Sequence, residues 1–418
     1  MARLLTGLSL GYFLVMLDTT IVTVALPALS PSLPAQQWIS NGYTLTFAAF
    51  LLTAGAWSDR FGARRVFSAG LVSFAVLSGL SALSFSTPSL IALRALLGVA
   101  GALLVPSSLS LIAAAYPVPA ARAKAMGVWA AVSGTGLVAG PLLGGLLTQA
   151  FGWRAIFLVN VPVAAVAFAL SRSAPPTPAK PGRTDLTGQV SAVVALSALT
   201  YALIESSWGP LLLSAAAAAV FVRSQRRPEA MLPARLFRNR AFPLGLVAGA
   251  IVNFGLSGVL FVLSLYFQET RGYPPSLTGL AFLPLTIPTA FNPIFTGRLV
   301  ARIGPRIPAV SGFSLMSAGT LLQAGSTSAV LSVVALALLG FGVSLAIPSL
   351  LTAVVASAPP DLTGVAGGAL NAARQTGAAL GVAILGALLA GTTTSIALIA
   401  AAGLLLVGAL VVLFPIRL

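Results

Sequence analysis

Three charged side chains sit deep inside long apolar runs of this 418-residue chain: Asp18, Arg94 and Arg374. A charge at that depth in a bilayer is expensive, and by default it marks a path for protons, ions or substrate. A carboxyl within reach of a guanidinium is suited to carrying a proton. The rest of the chemical inventory is narrow. Histidine and cysteine are absent and only seven acids are present. The commonest general base, the thiol nucleophile and two of the usual metal ligands are therefore missing. No metal centre and no cofactor are expected, and the composition argues against an enzyme of hydrolytic or metal-dependent type. No Gly-rich loop ending in Gly-Lys-Ser/Thr occurs, so direct coupling to ATP has no support. Glu205 and Glu269 fall near the ends of apolar runs, where a solvated interfacial role suits them as well as a substrate role.

Positioning three buried charges requires apolar walls, and the composition supplies them. The chain is 58% hydrophobic and 7% charged, with mean hydropathy +1.01, where a soluble domain carries about 25% charged residues. A helix needs about 20 apolar residues to cross a bilayer. Runs between Pro, Gly and charge breaks predict fourteen spans: 4–26, 38–57, 66–85, 89–112, 126–148, 154–171, 186–206, 209–222, 242–266, 276–296, 308–326, 329–352, 367–391 and 394–416. The first is too long for the apolar core of a signal peptide, about 7–15 residues, and it contains Asp18. It reads as a retained span.

The formal charge of +16 is spread over short loops rather than gathered on one face, so it reads as topology and not as a nucleic-acid surface. With the N-terminus inside, nineteen of the 23 Lys and Arg fall on the cytoplasmic side, among them Arg60, Arg64, Arg65, Lys180, Arg183, the 223–240 cluster and Arg417. Only Arg154 and Arg271 fall outside. That bias obeys the positive-inside rule only if the short eighth span is counted, which puts both termini in the cytoplasm. The 223–240 segment suits an anionic headgroup surface.

The chain also repeats itself. Gly55-Ala-Trp-Ser-Asp59-Arg60-Phe-Gly62-Ala-Arg64 returns as Gly297-Arg-Leu-Val-Ala301-Arg302-Ile-Gly304-Pro-Arg306, at an offset of 242 residues. The same offset carries Leu97-Gly98 onto Leu339-Gly340, Pro106-Ser107 onto Pro348-Ser349 and Pro117 onto Pro359. The expected fold is all-α: two homologous six-helix bundles, 1–171 and 242–418, with a linker, two inserted helices and a basic segment in 172–241. Both copies start from the same side, so the repeats are parallel, the layout of transporters that alternate access by rocking two halves. Pro175-Pro176-Thr177-Pro178-Ala179-Lys180-Pro181 reads as a stiff linker.

Several segments in order along the chain resemble the major facilitator superfamily, specifically its fourteen-helix drug:proton antiporter branch. Leu17-Asp18-Thr19-Thr20 through Leu26-Pro27 resembles the branch's first-span signature, with Thr23 where Asn is usual. Trp38 and Tyr43 open the second span as in the family. Trp153-Arg154, Phe157, Asn160 and Pro162 are similar to the start of its sixth, and Asn371, Arg374 and Gln375 to its thirteenth.

The loop carrying Gly55, Asp59, Arg60, Gly62, Arg64 and Arg65 resembles the superfamily's cytoplasmic gating motif. Its glycines permit a tight turn, while Asp59 and the arginines can lock the turn to the other bundle. Ala301 replaces the acid in the second copy, so only the first copy is expected to form an acidic lock, with Asp59 at the start of the thirteenth span. Gly136, Gly140, Pro141, Gly144 and Gly145 in the fifth span resemble the antiporter motif of exporters, generally lacking in importers. Glycines four apart make a smooth stripe, and Pro141 bends the helix.

The resemblance implies that the first and fourth spans line a central cavity. Asp18 lies eight residues from the outer end of its span, about 12 Å, and Arg94 five residues into its own, about 8 Å. The two share a depth to within a turn, and they are the proton-coupling candidates; a permanent structural ion pair is the alternative. Candidate substrate contacts are Tyr12, Trp38, Tyr43, Asn253, Asn292, Asn371, Arg374 and Glu269. The interfacial aromatic belt would also account for Trp38. Members that export cations carry further acids in the second bundle. Here span ten offers only Asn292 and span thirteen Arg374, so neutral, zwitterionic or anionic lipophiles fit at least as well as dications.

The expected function is export of small lipophilic drugs or antibiotics in exchange for protons. Proton- or anion-coupled uptake of a small organic solute on the same fold is the runner-up, since fold alone does not set direction. A non-transporting membrane receptor is the third reading. The expected partners are the substrate, protons and the lipid bilayer, with no nucleic acid, for a monomer. The excess of Arg over Lys, 21 to two, is the mark of a GC-rich genome and points to a bacterial inner membrane.

Overall fold

The computed structural model describes residues 2–177, 185–227 and 230–413. Pro178, Lys180 and Pro181 of the predicted linker, with Arg183 and Arg417 of the basic set, lie outside the described residues. The described residues are helical, without strands, and fall into two compact units.

The first unit holds residues 1–184 together with Tyr273–Leu280. Its helices are α1 (Ala2–Leu29), α2 (Leu33–Phe61), α3 (Ala63–Ala82), α4 (Thr87–Ala115), α5 (Pro119–Phe151), α6 (Ala155–Leu158) and α7 (Asn160–Ser171). Proline sits in the opening turns of α2, α4 and α5, where its missing N–H costs nothing. Ser86 and Ser89 cap the start of α4 reciprocally. The predicted sixth span is broken at Val159, because Pro162 cannot donate to the Leu158 carbonyl and the helix restarts as α7.

The second unit holds residues 185–272 and 281–418. It contains α8 (Leu186–Ile204), α9 (Gly209–Ser224), α10 (Ala241–Leu265), α12 (Leu283–Phe291), α13 (Pro293–Ile303), α14 (Arg306–Ala324), α15 (Ala329–Ala356), α16 (Thr363–Gly391) and α17 (Thr394–Leu413); the short α11 (Pro275–Ala281) lies almost wholly in the first. The predicted tenth span is thus three helices rather than one. Pro284 and Pro293 supply the new starts after Phe282 and Asn292, since neither can complete the preceding turn.

Every predicted span lies on a helix or a broken helix. Among the described residues, nine helices are long and apolar enough to cross a membrane. Ala155–Ser171 and Gly209–Ser224 are shorter apolar helices. α2 is 29 residues long but is not among the nine: it buries polar side chains, Gln36, Gln37, Asn41 and Thr44 among them, inside the unit.

Candidate functional site

A close approach of α4 to α2 sets up the charged centre of the first unit. A Cβ on Gly98 of α4 would collide with the Tyr43 carbonyl and the Thr46 hydroxyl of α2. Only glycine allows that seam, and Thr46 Oγ1 closes it by donating to the Ala95 carbonyl at 2.6 Å. One turn before Gly98, Arg94 is thereby pressed against α2. Its Nε donates to the Ile39 carbonyl at 3.2 Å, and its guanidinium carbon stands 4.6 Å from the centre of the Tyr43 ring. Its Nη1 pairs with Oδ2 of Asp18.

Both partners are buried, Asp18 at 0% and Arg94 at 1% exposure. The other carboxylate oxygen accepts from Asn160 Nδ2 at 3.0 Å, and the same nitrogen reaches Ser78 Oγ at 3.1 Å. Ser78 in turn donates to the Phe157 carbonyl at 2.9 Å. The pair is therefore held by α1, α2, α3, α4 and α7 together. A buried ion pair whose remaining lone pairs and protons are satisfied is the arrangement in which the attraction offsets desolvation. Tyr43 is 1% exposed and belongs to this cluster, under Arg94.

The glycines of α5 lie along α1, the helix that carries Asp18. A Cβ on Gly136 would stand 2.7 Å from the Phe13 carbonyl, and one on Gly140 or Gly144 would collide with Thr20 or the Ile21 carbonyl. The stripe thus brackets Asp18 from Phe13 to Ile21. Pro141 and Gly145 face a different neighbour in the same unit. A Cβ on Gly145 would collide with the Pro275 carbonyl, and one on Gly279 would collide with the carbonyl of Pro141. Ser276 N donates to Gln149 Oε1 at 3.2 Å beside them. Two backbones meet here with no side chain between.

In the α2–α3 turn, Gly62 has φ +88° and ψ 128°, a conformation that residues with a side chain rarely adopt. A Cβ there would also stand 2.9 Å from the Thr177 carbonyl. The turn is tied to the chain leaving α7: Ala63 N donates to Thr177 Oγ1 at 2.6 Å and Arg64 to the Arg172 carbonyl at 2.9 Å. Asp59, Arg60, Arg64 and Arg65 are exposed. Gly55 has space, its nearest neighbour for a Cβ being Pro106 at 3.9 Å.

The substrate-contact candidates separate into groups. Tyr12 stacks on Trp129 of α5 with ring centres 4.4 Å apart, and Trp38 is half-buried on α2. In the second unit, Arg374 gathers Asn253 and Asn371: its Nε donates to Asn253 Oδ1 at 3.2 Å and its Nη1 to Asn371 Oδ1 at 3.0 Å. Asn292 stands apart, donating to Ser344 Oγ at 2.7 Å where α12 gives way to α13. Glu205 and Glu269 are exposed at the ends of their helices. Asn160, Ser78 and Trp129 join these clusters only through the fold. Asn160 had a signal, since it belongs to the Trp153–Pro162 pattern and is an amide at the start of an apolar helix. Ser78 had none.

Residues 8–382 match the Major Facilitator Superfamily. The chain is 36% identical over 408 residues to the tetracenomycin C resistance and export protein of Streptomyces glaucescens, covering 92% of this chain and 75% of that one. It is 35% identical over 414 residues to the methylenomycin A resistance protein of Streptomyces coelicolor, covering 93% and 86%. A solved POT family transporter in complex with a thioalcohol-conjugated peptide superposes with TM-score 0.75 at 15% identity, covering 98% of this chain and 95% of that one, a likeness of fold. The chain belongs to the major facilitator superfamily, as a multi-pass helical membrane transporter whose relatives include antibiotic resistance and export proteins.

Proposed function

We propose that this chain exports small lipophilic compounds, antibiotics among them, in exchange for protons. In this reading it is a monomer of a bacterial inner membrane with fourteen crossings and both termini cytoplasmic. Two six-helix bundles, 1–171 and 242–418, rock to alternate access, with two helices inserted between them in the chain. The observation that carries the coupling is the Asp18–Arg94 pair, buried on all sides yet bracketed by the α5 glycine seam. Proton binding to Asp18 breaks the ion pair and leaves Arg94 to the Ile39 carbonyl and the Tyr43 ring. Proton release restores it. A glycine seam lets α1 slide against α5 without repacking side chains, so a change at Asp18 can be passed to the helix that carries it. Asn160 and Tyr43 are positioning residues in this scheme. Asp59 with the α2–α3 turn is assigned to gating, and Tyr12, Trp38, Asn253, Asn292, Asn371 and Glu269 to substrate contact.

The export reading is supported by the resistance and export relatives and by the α5 motif. A susceptibility panel tests it: cells making the protein should survive higher doses of several lipophilic antibiotics than cells making Asp18→Asn. Equal survival across the panel would contradict it.

A further inference from the structure

Between the two copies of the repeat, α9 is short for a bilayer. Its 16 residues rise about 24 Å, against a hydrocarbon core about 30 Å thick. A helix that falls short draws the lipid surface toward its ends or reaches out with long flanking side chains. Arginines gather where α9 stops, at Ser224. The 223–240 segment holds six arginines and one acid, Glu229, which lies outside the described residues.

That end carries a slot beside its charges. Phe221 and Val222 of α9, with Leu232, Ala234 and Phe237 of the segment leading to α10, line a cavity of about 280 Å³. Gln225, also in the lining, ties the two stretches together. Its Nε2 donates to Asp185 Oδ2 at 3.1 Å, and its Oε1 accepts from Leu232 N at 2.9 Å. Asp185 in turn caps the start of α8 by accepting from Gly188 N at 2.7 Å. The segment leading to α10 is anchored too: Leu236 is fully buried, and Phe237 stands edge-on to Phe242 with ring centres 5.2 Å apart. Arg227 donates to Thr187 Oγ1 at 3.2 Å, and Arg235 pairs with Asp361 at 3.0 Å. Arg226 is the arginine that lines the slot.

Pockets for whole small molecules run about 300–1,000 Å³, so this slot suits one alkyl chain better than a drug. The positive-inside rule asks for arginines at this end but for no apolar slot among them. We propose that the slot binds an anionic phospholipid, with one acyl chain among Phe221, Leu232 and Phe237 and the phosphate at Arg226. The bound lipid fastens the short inserted pair to the leaflet at its basic end. This goes beyond the export reading and does not depend on it. Apolar burial holds the chain without telling one lipid from another; the arginine cluster supplies the preference for a negative headgroup.

The test uses phosphatidylglycerol and phosphatidylcholine probes, each with a photoactivatable diazirine midway along one acyl chain. Each is placed at the same mole fraction in nanodiscs holding the full chain, and adducts are mapped by peptide mass spectrometry after illumination. At Phe221, Val222, Leu232 and Phe237 the phosphatidylglycerol probe should exceed the phosphatidylcholine probe by about fivefold or more. A groove on α3 and α4 lined by Val72, Val76 and Leu96 has no charged residue in its lining and serves as the internal control, with equal labelling by both probes. Arg226→Gln should bring the slot's preference down toward that of the groove. Ala234→Trp, which fills the slot and keeps every arginine, should remove slot adducts of both probes. Both residues are exposed, and unchanged adducts in the groove report that each variant is folded. Equal labelling of the slot by the two probes would make its lipid an ordinary boundary lipid and overturn the proposal. A phosphatidylglycerol excess that survives Ala234→Trp would assign the preference to surface charge alone, and absent slot adducts in the unmodified protein would leave no site.

Discussion

Asn160 of α7 points one amide nitrogen at two acceptors, the Asp18 carboxylate at 3.0 Å and the Ser78 hydroxyl at 3.1 Å. It thereby fixes the oxygen of Asp18 that Arg94 does not hold, and ties α1 to α3 and α7. A hydrogen bond to a charged group contributes about 1.5–3 kcal/mol. Asn160→Leu should therefore lower proton-driven substrate accumulation by about tenfold or more, with Asn160→Gln partly restoring it. Initial rates in inverted vesicles at matched protein levels are the measurement, and an unchanged rate in Asn160→Leu would remove the residue from the site.

A permanent structural pair and a proton-coupling pair at Asp18 and Arg94 make opposite forecasts. Coupling requires Asp18→Asn to fold, to bind substrate and to lose accumulation against a gradient, with Asp18→Glu retaining some. A structural pair requires each single neutralisation to lose folded protein, by about 3–5 kcal/mol for an orphaned buried charge, and Asp18→Asn with Arg94→Gln to recover it. Thermal unfolding of the four proteins in nanodiscs, alongside transport, separates the two. Full accumulation by Asp18→Asn would move attention to Glu205 and Glu269.

How much of this was legible before the fold was known differs between residues. Asp18 and Arg94 could be brought to one depth because helical rise is fixed and both lie on long spans. The identity of the remaining partners was not legible. Ser78 is one of many serines on an apolar helix, and its contact with Asn160 depends on how α3 rotates against α7. The glycine stripe of α5 was readable as a close seam, but periodicity does not say which helix it meets. Gly136, Gly140 and Gly144 turn to α1, while Gly145 meets Pro275. The broken tenth span was carried by its prolines, Pro284 and Pro293, whereas an apolar count joins straight across them. Asn253 and Asn371 are 118 residues apart and share only a residue type; Arg374 brings them together.

The α5 seam should tolerate no volume where it meets α1. Gly140→Val inserts branched carbon against Thr20, and overpacking of that kind costs about 1–3 kcal/mol. Transport should fall more than stability does, because the seam borders Asp18. Gly127→Ala on the same helix meets nothing within 4 Å and serves as the control, with wild-type rate and unfolding temperature expected. Equal behaviour of the two variants would show that the seam is slack.

In the α2–α3 turn, Gly62→Ala should destabilise the protein by about 1–3 kcal/mol, since φ of +88° disfavours any side chain and a Cβ there would stand 2.9 Å from the Thr177 carbonyl. Asp59→Asn should leave the unfolding temperature unchanged, the residue being exposed, and slow turnover several-fold through its gating role. Wild-type turnover in Asp59→Asn would remove the acid from gating.

The most direct measurement of the central claim is accumulation in inverted vesicles acidified inside, with the unmodified protein and Asp18→Asn in parallel. The account predicts that the unmodified protein concentrates a lipophilic antibiotic, that a protonophore collapses the gradient, and that Asp18→Asn never builds one. Accumulation that survives the protonophore, or that Asp18→Asn matches, would contradict proton-driven export through this site.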